Sequence, residues 1–138
     1  MKLVYLLDTN IVSELLRPSP DERVIESMRA YDGTMAIAAI VWHELLYGLA
    51  RLPEGTRKRR LSAGIYHVIA PAFPVLPYTD SAAVLHADMR AAADAAGRPL
   101  SFADGMIAAV ARSNNLLLVT RNIDDFAGVP GLPVENWF

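Results

Sequence analysis

Three short runs, residues 2–7, 35–40 and 116–120, constrain this chain more than any other feature. Apart from Lys2 and Thr120 at their ends, each is apolar throughout instead of alternating, which is the pattern of a strand covered on both faces. Such strands belong to a parallel sheet with helices above and below it, and the intervening segments are long enough and helical enough to supply them. Each run also hands over to a carboxylate or an amide. Asp8 follows the first run, Glu44 lies just beyond the second, and Asn122 and Asp125 come after the third. In an open α/β sheet the ligand site lies outside the carboxyl ends of the strands. Acids distant in sequence are therefore expected to converge at one edge of this sheet.

The remaining pattern completes the architecture. Residues 75–78 read as a weaker strand, which Pro77 confines to an edge, and residues 133–138 offer a last short one. Asn10 is placed to cap a helix reaching Leu16, stopped by Pro18 and Pro20. Asp21 caps the next, with Val24, Ile25, Met28 and Tyr31 on one face, and Trp42, Leu45, Leu46 and Leu49 repeat the stripe in a third. Residues 54–69 are helical in pattern and carry the basic run Arg57-Lys58-Arg59-Arg60. A long helix over 80–96 ends at Gly97, and Ser101 opens one reaching about Asn114. The alternation predicts a single domain over residues 1–138: an α/β three-layer sandwich on a mainly parallel sheet of about five strands, with right-handed crossovers.

Composition narrows the function classes. The chain is 53% hydrophobic and 20% charged, an ordered globular composition. It has no cysteine, which excludes disulfides and thiolate metal ligation and fits the cytosol. The first apolar run is cut off by Asp8, too early for a signal-peptide core or a membrane span. A net charge of −2 gives no overall attraction to nucleic acid, so any such binding needs a local patch or a metal.

Each acid has an ordinary structural reading beside the functional one. Asp8 is placed to cap the helix it precedes, although Asn10 is available for that, and Thr9 adds a second oxygen. Glu44 sits in the first turns of its helix, where the dipole favours a negative charge; Gly48 one turn later leaves room for an approaching group. Ser101-x-x-Asp104 is close to a capping box, which does not prevent Asp104 from also binding an ion. Asn122 and Asp125 fit an Asx-type turn. His43 points away from this side of its helix. Taken together, the acids at successive strand–helix junctions describe an all-oxygen site suited to magnesium or manganese rather than zinc. An ion there would activate water and shield phosphate oxygens for in-line attack.

The segments Leu6-Leu7-Asp8-Thr9-Asn10-Ile11-Val12-Ser13-Glu14, Glu44-Leu45-x-x-Gly48, Asp104-x-x-Ile107-Ala108-Ala109 and Thr120-Arg121-Asn122-x-x-Asp125-Phe126 resemble PIN-domain proteins. They are most similar to the VapC and FitB toxins of bacterial toxin–antitoxin pairs, in the right order along nearly the whole chain. The resemblance implies a magnesium-dependent ribonuclease, with manganese a substitute, whose metal is held by Asp8, Glu44 and Asp104. Asn122 and Asp125 complete the catalytic group. Asn122 stands where many relatives carry an acid, and Asp125 is the nearby substitute. A homodimer and a VapB-like antitoxin are further implications, the antitoxin's tail occupying the active-site groove, often with an arginine; DNA is met only through it.

Arg57, Lys58 and Arg59 form either a solvated helix face or a contact for the RNA backbone, and Arg121 is a second candidate phosphate contact. Trp42, Leu45, Tyr47, Leu49, Val24 and Met28 are either core or a dimer or antitoxin interface. The leading expectation is a cytoplasmic endoribonuclease toxin leaving 5′-phosphate and 3′-hydroxyl ends. The alternatives are a catalytically weak partner acting in a DNA-bound antitoxin complex, and the same chemistry on DNA or a small phosphoester.

Overall fold

The three apolar runs each form a central strand in the computed structural model, which describes residues 2–138. They are β1 (Tyr5–Leu7), β2 (Met35–Ala38) and β4 (Leu117–Val119), with β3 (Val75–Leu76) and β5 (Val134–Glu135) added at the margins. All pairs are parallel and the order is β3-β2-β1-β4-β5, flanked by helices. Both edge strands are two residues long and adjoin prolines; Pro74 and Pro133 each offer a carbonyl to the neighbouring strand. Short, proline-flanked edges deter pairing with another chain.

β1 lies between β2 and β4, so the chain leaves β1 toward one side and later returns on the other. That is a topological switch point, and the crevice it opens lies beyond the carboxyl ends of β1 and β4. The core beneath is apolar: Leu6, Leu7, Ala36, Ile37, Leu118 and Val119 are fully buried, as are Ile11, Val12 and Ala108 from the helices.

The helices are α1 (Thr9–Val12), α2 (Glu22–Ala30), α3 (Ala39–Ala50), α4 (Thr56–Gly64), α5 (Ala70–Ala72), α6 (Asp80–Ala95) and α7 (Phe102–Ser113). The sequence pattern over residues 10–16 suggests one helix capped by Asn10. Instead Asp8 caps α1, its carboxylate accepting the Thr9 N–H, and residues 13–16 tighten into a 3-10 turn. Asn10 is inside the helix with its amide committed to β4 (below). Asp21 does cap α2, and Ser101 caps α7 through the Asp104 N–H. The basic helix runs further than its pattern suggested: a π-turn over Ile65–Ile69 joins α4 to α5. Pro71 explains the irregularity, because it has no N–H for the preceding turn and its ring crowds the carbonyl four residues back.

Val24, Met28 and Leu45, three of the residues with two readings, are core. Tyr47 is 56% exposed and stacks on His43.

α6 and α7 pack around His86, 3% exposed, whose Nδ1 lies 2.8 Å from the Tyr78 hydroxyl. Burial, with a smaller contribution from Arg90, holds the His86 pKa below the usual imidazole value. Its ring rests on the backbone of Gly105, where a Cβ would overlap Nε2 and Cδ2. Gly105→Ala therefore forces the helices apart and should destabilise the protein by about 2 kcal/mol, the usual cost of overpacking. A urea melt checks this, and an unchanged midpoint would show that the contact has slack.

Candidate metal centre

Asp8 ends β1 and extends its ladder, donating its N–H to the Val119 carbonyl (2.9 Å). Its side chain is only 7% exposed, a depth at which a carboxylate needs donors. One oxygen accepts the Thr9 N–H at 2.7 Å. The other accepts the hydroxyl of Thr120 at 2.9 Å and the Asn10 amide at 3.4 Å. Thr120, fully buried at the end of β4, also accepts the Asn10 amide (3.3 Å) and the Asn122 N–H (3.1 Å). Asn10 Oδ1 accepts the Arg121 N–H (3.0 Å). Together these bonds tie the start of α1 to the turn after β4 across the switch point and fix the Asp8 carboxylate.

Glu44, half-buried on α3, enters from the opposite flank. Its Oε2 accepts the Thr9 hydroxyl at 2.8 Å, which leaves Oε1 without a protein donor among the described residues. Gly48 lies one turn on, and a Cβ there would meet nothing within 4 Å, so that side of α3 is open. Asp104 lies in the first turn of α7, and Asp125 in the 3-10 turn Ile123–Phe126.

Electrostatics link the four acids. Burial pushes the Asp8 pKa up; the Thr120 and Thr9 hydrogen bonds oppose that, and the charges of Glu44 and Asp125 add to it. Burial also raises Asp104, opposed by Ser101 and reinforced by Asp8 and Asp125. The described residues show two ion pairs, Arg17–Glu14 and Lys58–Glu54, and neither involves these acids. Among the described residues no three acidic or imidazole side chains close into a ready-made metal cage. The group is thus an open set of mutually repelling carboxylates without a protein counter-ion. All-oxygen donors of excess negative charge in an open arrangement fit a magnesium-like ion, which keeps several of its waters, better than zinc.

The remaining candidates fall in different places. Asn122 lends its N–H to Thr120, its side chain makes no capping bond, and it is exposed; the Asp125 charge, by contrast, reaches both Asp8 and Asp104. Arg121 sits at the rim, its guanidinium 4.5 Å from the centre of the Phe138 ring. On α4, Lys58 pairs with Glu54 and Arg59 bonds Thr56, while Arg57 lines a separate groove with Arg60 and Leu16. That basic run therefore lies outside the acidic group. The sequence patterns gave Asn10 only a capping role and Thr120 none of its own; the pairing of β1 with β4 reveals their part in holding Asp8.

The Thr120 bond lowers the Asp8 pKa, so Thr120→Val, which keeps the shape and removes the donor, should raise it. If cleavage needs ionised Asp8, the acidic limb of the pH–rate profile shifts to higher pH, and the rate falls on that limb but not on the alkaline plateau. An unmoved limb would mean that Thr120 does not tune Asp8.

Comparison with known proteins identifies the family. The PIN domain model matches residues 5–132, and this chain belongs to the PIN-domain family. It is 37% identical to Toxin FitB of Neisseria gonorrhoeae over 139 residues, covering 97% of this chain and 99% of that one. It is 34% identical to a tRNA(fMet)-specific endonuclease VapC of Shigella flexneri, covering 98% of each. Among solved structures, FitAB bound to an IR36 DNA fragment superimposes with a TM-score of 0.87 at 33% identity, covering 98% of this chain and 96% of that one. DNA-bound VapBC from Salmonella typhimurium gives 0.88 at 30% identity, covering 99% of each.

Proposed function

We propose that this chain is the toxin of a toxin–antitoxin pair: a magnesium-dependent endoribonuclease, active also with manganese, restrained by a VapB-like antitoxin. The observation that carries this reading is the buried Asp8 carboxylate, its pKa raised chiefly by burial and further by Glu44 and Asp125, with no ion-pair partner among the described residues. Relatives named as ribonucleases and endonucleases, aligned over nearly the full chain, support the reaction class. PIN-domain ribonucleases generally depend on a divalent metal, which supports the cofactor. Solved structures of FitAB and VapBC bound to DNA support an antitoxin partner and a link to DNA through it. No helix among the described residues is long and apolar enough to cross a membrane; a cytoplasmic homodimer is part of the proposal.

The work divides among the residues by their surroundings. Asp8, clamped by Thr120 and the Thr9 amide, presents a fixed charge, and Asp104 presents a second from the start of α7. A divalent ion held between them would lower the pKa of a bound water and neutralise charge on the phosphate. Glu44 keeps one oxygen on Thr9 and has the other free, for the ion or to orient the attacking water. Asp125 adds negative charge at the far side, while Asn122 braces Thr120 through its N–H. Arg121 at the rim and the α4 cations Arg57, Lys58 and Arg59 are the proposed backbone contacts. The products carry 5′-phosphate and 3′-hydroxyl ends.

Incubating the purified protein with RNA and with DNA, with and without chelator, tests the reading. Cleavage of RNA alone, lost in chelator and restored by magnesium, is expected. Intact RNA with magnesium present would instead favour a binding module, and equal cutting of DNA a general nuclease.

A further inference from the structure

The turn joining α6 to α7 does more than connect two helices. Gly97 (φ +70°) donates its N–H to the Asp94 carbonyl at 3.1 Å, and Arg98 donates its own to Ala93 at 3.0 Å. This pair of bonds is the glycine-dependent closure of a helix C-terminus, and it pins the Arg98 backbone. Pro99 holds it further, because the residue before a proline is confined to extended conformations. Arg98 is thus an exposed arginine on a rigid base.

A cleft of about 420 Å³ opens beneath it, between this turn and the 3-10 turn after β4. Asp104 from α7 and Asp124 and Asp125 from the 3-10 turn bring three carboxylates to it, and Pro99, Leu100 and Val129 give it apolar wall. That volume lies toward the lower end of small-ligand pockets and suits one monomer unit of a polymer. Arg98 shares the cleft with these acids, yet neither of the ion pairs among the described residues includes it. A planar guanidinium left free at the mouth of an acidic cleft is matched to a phosphate, which it can hold through two parallel hydrogen bonds. It also supplies the positive charge without which the acids would repel a polyanion.

We propose that this cleft is a nucleotide subsite for single-stranded RNA, in which Arg98 holds the phosphate adjoining the one that is cut. The nucleotide's base lies on Pro99, Leu100 and Val129, and its chain runs past Asp104 and Asp125 into the metal centre. The subsite rests on the ribonuclease reading but makes a separate claim, since that reading needs no cation at residue 98.

The test separates the two. In the full chain carrying Asp8→Asn to prevent cutting, binding of a labelled 12-nucleotide single-stranded RNA of random sequence is followed by fluorescence anisotropy in magnesium at several salt concentrations. Adding Arg98→Ala should weaken binding about tenfold, as expected for one charge-assisted contact. It should also reduce the slope of log K against log salt by about 0.7, one phosphate on a single strand. Arg98→Lys should restore the slope, and Arg23→Ala on α2, an equal change in net charge away from the cleft, should leave it alone. An unchanged affinity and slope for Arg98→Ala, an equal loss for Arg23→Ala, or no RNA binding by the Asp8→Asn protein would each overturn the subsite. Cleavage of bulk RNA by the chain with Asp8 intact is scored in parallel: its absence overturns the ribonuclease reading, whereas its presence alongside a silent Arg98→Ala overturns the subsite alone. Melting curves on each variant show that a loss reflects contact rather than folding.

Discussion

Asp8→Asn is expected to abolish RNA cleavage, and with it growth inhibition on induced expression, while the protein remains folded. Asparagine matches aspartate in size, and its oxygen can still accept the Thr9 N–H that caps α1. The new amide faces the Thr120 hydroxyl, which can turn to accept from it, and the long Asn10 contact of 3.4 Å is given up. What disappears is the best-clamped negative charge of the group. A metal ion contributes several kcal/mol to a phosphoryl-transfer transition state, and each 1.4 kcal/mol is a factor of ten, so the loss should exceed about a thousandfold. Cleavage assays, growth curves and circular dichroism on the same preparation check the three parts. A folded Asp8→Asn protein that still arrested growth would remove Asp8 from the chemistry.

The second large effect is on stability, and it depends on pH. Asp8 and Asp104 both titrate above the ordinary carboxylate value, chiefly through burial. A raised pKa means that the folded chain binds protons more readily than the unfolded chain between the two values. In the metal-free protein this contribution is therefore most favourable at low pH and is lost as pH rises through the folded-state values. Above that window the fold carries repelling charges, and magnesium should offset them. At a hundredfold excess over its dissociation constant an ion that binds only the folded state adds about 2.7 kcal/mol, which for a domain of this size is roughly 10 °C in melting temperature. The increment should be larger at pH 7.5 than at pH 5, where protonation of the raised carboxylates competes with the ion. Asp104→Asn should melt a few degrees higher than the parent without metal, since it removes one of the repelling charges, and should respond little to magnesium. Differential scanning fluorimetry decides it: an equal magnesium increment at both pH values, or in Asp104→Asn, would place ion binding away from this group.

Much of this was legible from the residues because it depends on local chemistry. Strands apolar on both faces announce a parallel sheet wherever they lie, and β1, β2 and β4 fall where the runs do, shorter because β1 pairs only from Tyr5 and β2 gives way to α3 at Ala39. Ser101 and Asp21 cap their helices as their positions required. The part that was not legible depends on neighbours distant in the chain. Asn10 looked like a cap, but its amide serves Thr120, 110 positions away, leaving the cap to Asp8. Thr120 gains meaning only once β4 lies beside β1. The π-turn follows from Pro71 and the burial of Ile65 and Ile69, a combination no periodicity displays. Likewise Arg98 reads as one more surface cation until the α6–α7 turn is seen to hold it over the acidic cleft.

Anomalous scattering from crystals soaked in manganese tests the central claim most directly. The account predicts a manganese peak beyond the carboxyl end of β1, contacted directly or through one water by Asp8, Glu44 and Asp104. A saturating soak that left this place empty, or a peak bound only by surface carboxylates elsewhere, would contradict it.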